Sequence, residues 1–531
     1  MTKRIFLSAF LLLSLVISIG GAPADVASQI QQNEIVFTIP VGENGIHYEG
    51  VGVPEMLTWG PAALTVSPDG SFWIADIVGN RLLHFDSHGG LLEKINLDGY
   101  IVGASDLVVT KSGVITVLDQ ASMPPKIVQF ASGGGVLGKH ELPGGWRLGD
   151  GLSGISLGNH GEVLVEREGG AYVQQFLDAH GNPVQTVPTK GHLNNGKLYS
   201  VHPSGLTSAN PKLGIIQAGD ITIEVNTAHD LGSLIILGFG PDNSLYVVLE
   251  ELAQNPSLQV DKTIRHYDAQ GKLMGVARVP LAEQYTHVPH GLAIGPDGAV
   301  YALATYPDYA EILRLAFEPQ LNPILSDDAI PFNIFEDTVP ESGESITACV
   351  SRDTMVNTAY GYYNNSKYLN NTNINGSCSN RTKPRYLGSA GTYTSVSYDW
   401  WGFDTVSGWN NYMTNNYQAG DIDTSGNEGC SRGVDCSGYV SRAWQLGERY
   451  GTCTIENIST QLSSVNLLQR GDILNKCNDH TVLFRDFGYE YGGLFVYEST
   501  TVNAYDRVVY TWNEWSRFSG YNPRKYNNVC Q

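Results

Sequence analysis

The chain has 531 residues, 42% of them hydrophobic, and a formal net charge of −21. That length accommodates two or three domains, each able to bury its own core. Residues 346–531 carry 15 Lys and Arg against 16 Asp and Glu, and the rest of the chain 17 against 37, so the acidity lies in the front part. This charge excludes a basic face for nucleic acid and simple electrostatic adhesion to anionic wall polymers.

Residues 1–24 have the layout of a secretory signal peptide. Lys3 and Arg4 give a positive start, an apolar run follows to Gly20, and Ala22-Pro23-Ala24 supplies small residues for cleavage before Asp25. The competing reading, an uncleaved membrane anchor, needs a longer run than this one. No cysteine near the cleavage site offers a lipid anchor, and no later segment is apolar enough to span a membrane. The expectation is an exported protein with no transmembrane segment.

Residues 25–320 read as a repeat. Leu64–Ala75 (LTVSPDGSFWIA) is followed by Arg81–Phe85 (RLLHF), Leu107–Leu118 by Lys126–Phe130, and Ile155–Val165 by Tyr172–Phe176. Leu237–Val247 is followed by Thr263–Tyr267, and Leu292–Leu303 by Glu311–Leu315. Each unit is an alternating strand, a Pro-Asp-Gly-like turn, a second apolar strand, and a third ending in an aromatic residue or Leu. Asp-Gly turns between alternating runs are the hairpin signal. A fourth strand follows several units, as in DSHGGLLEKI. Four antiparallel strands per unit at this spacing predict an all-β propeller. The gap from Gly161 to Asn243 is too long for one unit and predicts a degenerate blade around Lys197–Leu237, for about six blades in all. Glu34–Pro40 is placed to complete the last blade and close the ring.

The turns and strand endings over residues 34–320 resemble those of NHL-type and related six-bladed propellers. The resemblance speaks to fold, not function, because propellers host both enzymes and binders. His84, His88, His160, His180, His266 and His290 are scattered over turns and strand ends, and read as solvated turn residues rather than metal ligands. Glu318–Glu344, with four prolines, many acids and no period, reads as a linker, assigned to residues 321–345.

All seven cysteines follow in residues 346–531: Cys349, Cys378, Cys430, Cys436, Cys453, Cys477 and Cys530. In an exported protein they are expected to pair, and an odd count leaves three disulfides and one free thiol. The count alone does not name the free one. Local pattern singles out Cys436: apolar residues at Tyr439, Val440, Ala443, Trp444 and Leu446 have helical spacing, with Asp435 at the N-cap. Cys436 then sits in a first helical turn, where free backbone N–H groups and the helix dipole favour a thiolate. The opposing reading makes Cys436 a disulfide partner.

A thiolate needs a base. His480 opens the strand TVLF, and a histidine there can face a sulfur on a helix packed against the sheet. Glu498, near the end of the next strand, is placed to hold the second imidazole nitrogen. A satisfied strand-end histidine and a solvated carboxylate are the structural alternatives.

The run DCSGYVSRAW, then GDIL and HTVLF, resembles the NlpC-type cysteine peptidases of bacterial cell walls and the related cysteine/histidine-dependent amidohydrolase/peptidase domains. The resemblance covers residues 346–531. It implies a multidomain protein, with the propeller followed by a smaller α+β papain-like domain. It also implies Cys436 as nucleophile and His480 as base, with Asp435 and Ser437 flanking the nucleophile in the substrate site. Tyr398, in YDWWG, matches the family's recurrent groove tyrosine. The family's third polar residue is usually His, Asn or Gln, and Glu498 departs from it toward the related amidases. Cys477, just before His480, is unusual there. It implies a disulfide bracing that loop, whereas pairing with Cys436 would switch the enzyme off by oxidation.

The resulting expectation is a secreted or extracytoplasmic hydrolase of the bacterial envelope. It cleaves amide bonds in peptidoglycan stem peptides, by resemblance after a D-glutamyl residue. The propeller serves as a targeting module for an unknown protein or glycan. No metal or organic cofactor is implied. One alternative is an extracellular propeller binding protein whose disulfide-stapled C-terminal region is inactive. Another is a Cys–His hydrolase of a different acyl substrate, such as a lipid or a protein amide. A free thiol separates the first alternative, since a binder has no need of one.

Overall fold

Each repeat folds as a four-stranded antiparallel sheet in a computed structural model that describes residues 33–326 and 349–530. The signal segment 1–24 and the linker from residue 327 on lie outside the described residues. Among the described residues six such sheets occur, five of them over 63–96, 104–141, 152–190, 192–226 and 230–278. The sixth joins 292–314 to Glu34–Pro40, which pairs antiparallel with Tyr309–Arg314. The first strand thus completes the last sheet, as its position in the sequence predicts. The degenerate blade runs over 192–226, because the strand Asp230–Phe239 already belongs to the next sheet.

The repeated aspartates explain why the turns recur. Asp86 Oδ1 accepts from the N–H groups of His88 (2.8 Å) and Gly90 (2.9 Å), and Asp178 and Asp268 do the same in their turns. A short side-chain acceptor that satisfies the turn's own backbone makes each hairpin locally self-sufficient. The scattered histidines are less uniform than expected. His84 stacks on Trp73 and His266 on Tyr246, with ring centroids 4.0 and 4.3 Å apart. His290 lies 3.6 Å from the buried Asp106.

Residues 349–530 build a six-stranded antiparallel sheet. Its order is Ser459–Gln461, Asn522–Tyr526, Ile473–Lys476, His480–Phe487, Leu494–Thr500, Arg507–Asn513. Two helices, Arg352–Tyr363 and Cys436–Ala443, pack on each other and on this sheet. Three disulfides staple the region: Cys349–Cys530, Cys378–Cys430 and Cys453–Cys477. The first ties its start to its end.

This region is seated on the propeller rather than hung from it. The described residues from Asn33 onward form one compact unit. Val502, Ala504, Tyr505 and Val509 join the apolar core of the first two blades. Leu252, Leu258 and Val260 of the propeller join Leu474, Val496 and Trp515. Several buried polar groups at the seam are paired. Glu250 accepts from the N–H groups of Trp515 (2.8 Å) and Ser516 (2.9 Å), and Lys262 bridges to Glu514. Among the described residues no helix is long and apolar enough to cross a membrane.

Candidate functional site

The free thiol is Cys436, and it is buried. It opens the helix Cys436–Ala443, whose N-cap Asp435 accepts from the Gly438 N–H (2.6 Å). Gly438 is required for the helix to approach its neighbour, since a Cβ there would lie 2.1 Å from the Gly402 carbonyl oxygen. The helix packs against the strand His480–Phe487, and the Thr481 N–H reaches the sulfur.

On that strand His480 turns Nε2 to Glu498 Oε2 (2.9 Å), and both side chains are buried. Glu498 also accepts two hydrogen bonds from Arg517, each 2.7 Å. Burial alone would raise the Glu498 carboxyl, but the Arg517 guanidinium and His480 bring it down to about 2. The carboxylate is therefore charged and fixed across neutral pH, and it orients the imidazole. With Nε2 paired to Glu498, Nδ1 is the ring nitrogen left for proton transfer, while the Cys436 thiol donates to the Glu55 carbonyl rather than to His480.

The candidate substrate residues divide. Tyr398 is buried and packs with Trp400 and Met56. Burial, with Cys436 adjacent, pushes its hydroxyl well up. Asp435 serves the structure as N-cap and as partner of Arg449, at 2.9 and 2.6 Å. Burial raises it, offset in part by that guanidinium. Ser437 Oγ donates to a carboxylate that arrives from the propeller, Glu55 Oε2 (3.3 Å).

Glu55 is the residue that sequence reasoning missed. Its carbonyl accepts from the Cys436 thiol (3.8 Å), and its carboxylate accepts from Arg449 Nη2 (2.5 Å) and the Thr452 N–H (3.0 Å). The thiol consequently departs from the thiolate expected at a helix start. Burial first, then the Asp435 and Glu55 carboxylates, push it well above the usual thiol range. Arg449 and Arg517 carried no sequence signal beyond charge.

A large cavity, about 1450 Å³, lies elsewhere. The innermost strands of all six sheets line it, which places it on the propeller axis. Cys436 and His480 do not line it, whereas Arg517, Asn478 and Asp479 do.

The six sheets define a β-propeller-like, mostly β protein. No protein-family model and no curated protein matches the chain. Among solved structures it is similar to a streptogramin B lyase at 14% identity and a TM-score of 0.29, over 51% of this chain and 97% of the other. A DUF4221-family member from Bacteroides vulgatus matches at 11% identity and 0.33, over 54% and 99%. An exported protein from Bacteroides fragilis matches at 10% and 0.31, over 54% and 95%. These scores are low, and the fold rests on the sheet order itself.

Proposed function

We propose that the chain is an exported cysteine hydrolase cleaving amide bonds in peptidoglycan stem peptides, with its C-terminal region as a papain-like catalytic module. Cys436 attacks the amide carbonyl and His480 takes the thiol proton, then returns it to the leaving amine. Glu498, held by Arg517, positions the imidazole. The Cys436 N–H at the helix start contributes to holding the oxyanion. Water resolves the thioacyl intermediate.

One observation carries the reading: of seven cysteines, the one left unpaired opens a helix packed on the strand of a histidine paired to a buried carboxylate. The three disulfides suit an oxidising compartment, in keeping with export.

The test is mass spectrometry of purified peptidoglycan digested by the full chain, wild type beside Cys436→Ala. New stem-peptide fragments with wild type alone, at a rate roughly 10⁴-fold or more above the variant, are expected. Identical digests from a protein whose Cys436 accepts an alkylating agent would sink the wall-hydrolase reading. The competing reading, a propeller binding protein with an inactive C-terminal region, draws on the axial cavity. Identical digests move the assignment there or to another acyl substrate.

A further inference from the structure

Between the closing strand Glu34–Pro40 and the first blade, the propeller projects a loop. Its stem is a two-residue ladder, in which the Glu49 and Trp59 backbones exchange hydrogen bonds of 2.9 and 3.1 Å. Arg385 of the C-terminal region grips that stem through the Glu49 carboxylate, at 2.9 and 3.1 Å. The loop tip is Val53-Pro54-Glu55-Met56, with the Met56 N–H donating to the Val53 carbonyl (3.3 Å). Proline second and a positive φ third is the type II pattern, which favours glycine at the third place. Here that place holds Glu55, at φ 61°. A strained residue retained at a turn tip points to a use for its side chain.

The cleft is shaped around that side chain. Arg449, the Thr452 N–H and Ser437 bind the carboxylate, and the Glu55 N–H donates to the Asn478 carbonyl (3.0 Å). Thr452 and Asn478 adjoin the two halves of the Cys453–Cys477 disulfide, which holds them in register, and the Asn478 N–H donates to Thr452 Oγ1 (2.9 Å). Gly451 leaves room, since a Cβ there would lie 2.1 Å from Glu55 Oε1. Met56 fills the apolar side against Tyr398 and Trp400. The same loop also lines the axial cavity, through Gly52, Val53 and Leu57 among others. It therefore stands between the cavity and the thiol.

We propose that the propeller loop 50–58 is a built-in strap that covers the Cys436 cleft, with Glu55 seated as an acidic pseudo-substrate, so that the folded chain works below its full rate. The proposal rests on the hydrolase reading for what the cleft does, and on the Glu55 contacts for its closure. A molecule entering the axial cavity meets the strap from behind, which gives the propeller a means of releasing it.

Alkylation of Cys436 by iodoacetamide in the folded full chain, followed by mass spectrometry, reads the closure without any substrate. Glu55→Gly suits the positive φ, keeps the turn and removes the carboxylate. It is expected to react faster than wild type by about tenfold or more, the scale of one lost charge-assisted hydrogen bond. Glu55→Gln, which keeps the shape without the charge, falls between. Met56→Ser opens the other anchor and is read the same way if the glycine variant folds poorly. Equal alkylation rates for wild type and the strap variants overturn the strap. Faster alkylation without stem-peptide fragments keeps the strap and sinks the hydrolase. Fragments released by wild type as fast as by Glu55→Gly overturn the strap and keep the hydrolase.

Discussion

In the propeller almost every paired strand is the chain neighbour of its partner, and only Glu34–Pro40 reaches across the sequence to Tyr309–Arg314. In the C-terminal sheet, Asn522–Tyr526 sits between Ser459–Gln461 and Ile473–Lys476, and one disulfide spans 181 residues. The propeller has no cysteine, and the C-terminal region has all seven. Hairpins close small loops, so each blade meets little closure entropy, whereas non-local pairing must close long ones. Cross-links shrink that cost by constraining the unfolded chain. The order of pairing therefore accounts for where the staples fall. The same contrast extends to the side chains: the irregular region holds the free thiol and the buried His480–Glu498 pair.

The largest loss is expected at the buried carboxylate. Glu498→Gln leaves the Arg517 guanidinium buried without its charge partner and should cost about 3–5 kcal/mol, measured by denaturant unfolding. Because the Glu498 carboxyl is held at about 2, below its ordinary 4.5, its pairing contributes fully above pH 4.5. The contribution is lost as pH falls from there toward 2. Wild-type melting should drop over that window more steeply than that of Glu498→Gln.

Next is the cross-link. Replacing Cys453 and Cys477 together by serine removes a staple of sequence separation 24 and should cost about 3 kcal/mol in the loop-entropy account. Hydrogen exchange should show the loosening around Thr452 and Asn478, with the propeller blades unchanged.

A smaller effect sharpens the view of the two regions as one body. Lys262→Met leaves Glu514 unpaired and takes a cation from beside the buried Glu250. A loss of about 2–3 kcal/mol is expected, within a single unfolding transition. Two resolved transitions would show that the regions melt separately. Smallest of all, Leu137→Ser, on a strand residue 59% exposed, should stay within about 0.5 kcal/mol of wild type.

Much of this architecture is legible in the order of the amino acids. Pro-Asp-Gly-like turns and alternating strands mark five blades directly, because a hairpin's turn chemistry and its pairing lie within a few residues of each other. The degenerate blade shows only as a gap, since 192–226 lacks the repeated turn, and the expected end at Leu237 falls inside the next sheet. Cys436 is legible for two reasons that agree, the odd cysteine count and the helical spacing after it. His480 and Glu498 are placed by strand order. Asp435 reads both as the N-cap and as a substrate residue; the helix and Arg449 occupy it fully.

Turn positions, strand periodicity, the closing strand and the spare thiol are local or countable properties, and the sequence by itself determined them. The tertiary structure alone decided that Arg517 holds Glu498, that the C-terminal sheet sits on the propeller, and that Glu55 meets Cys436. The last pair stand 381 residues apart. Contacts at such separation depend on how two folded surfaces fit, and neither surface leaves a periodic trace in the chain that builds it.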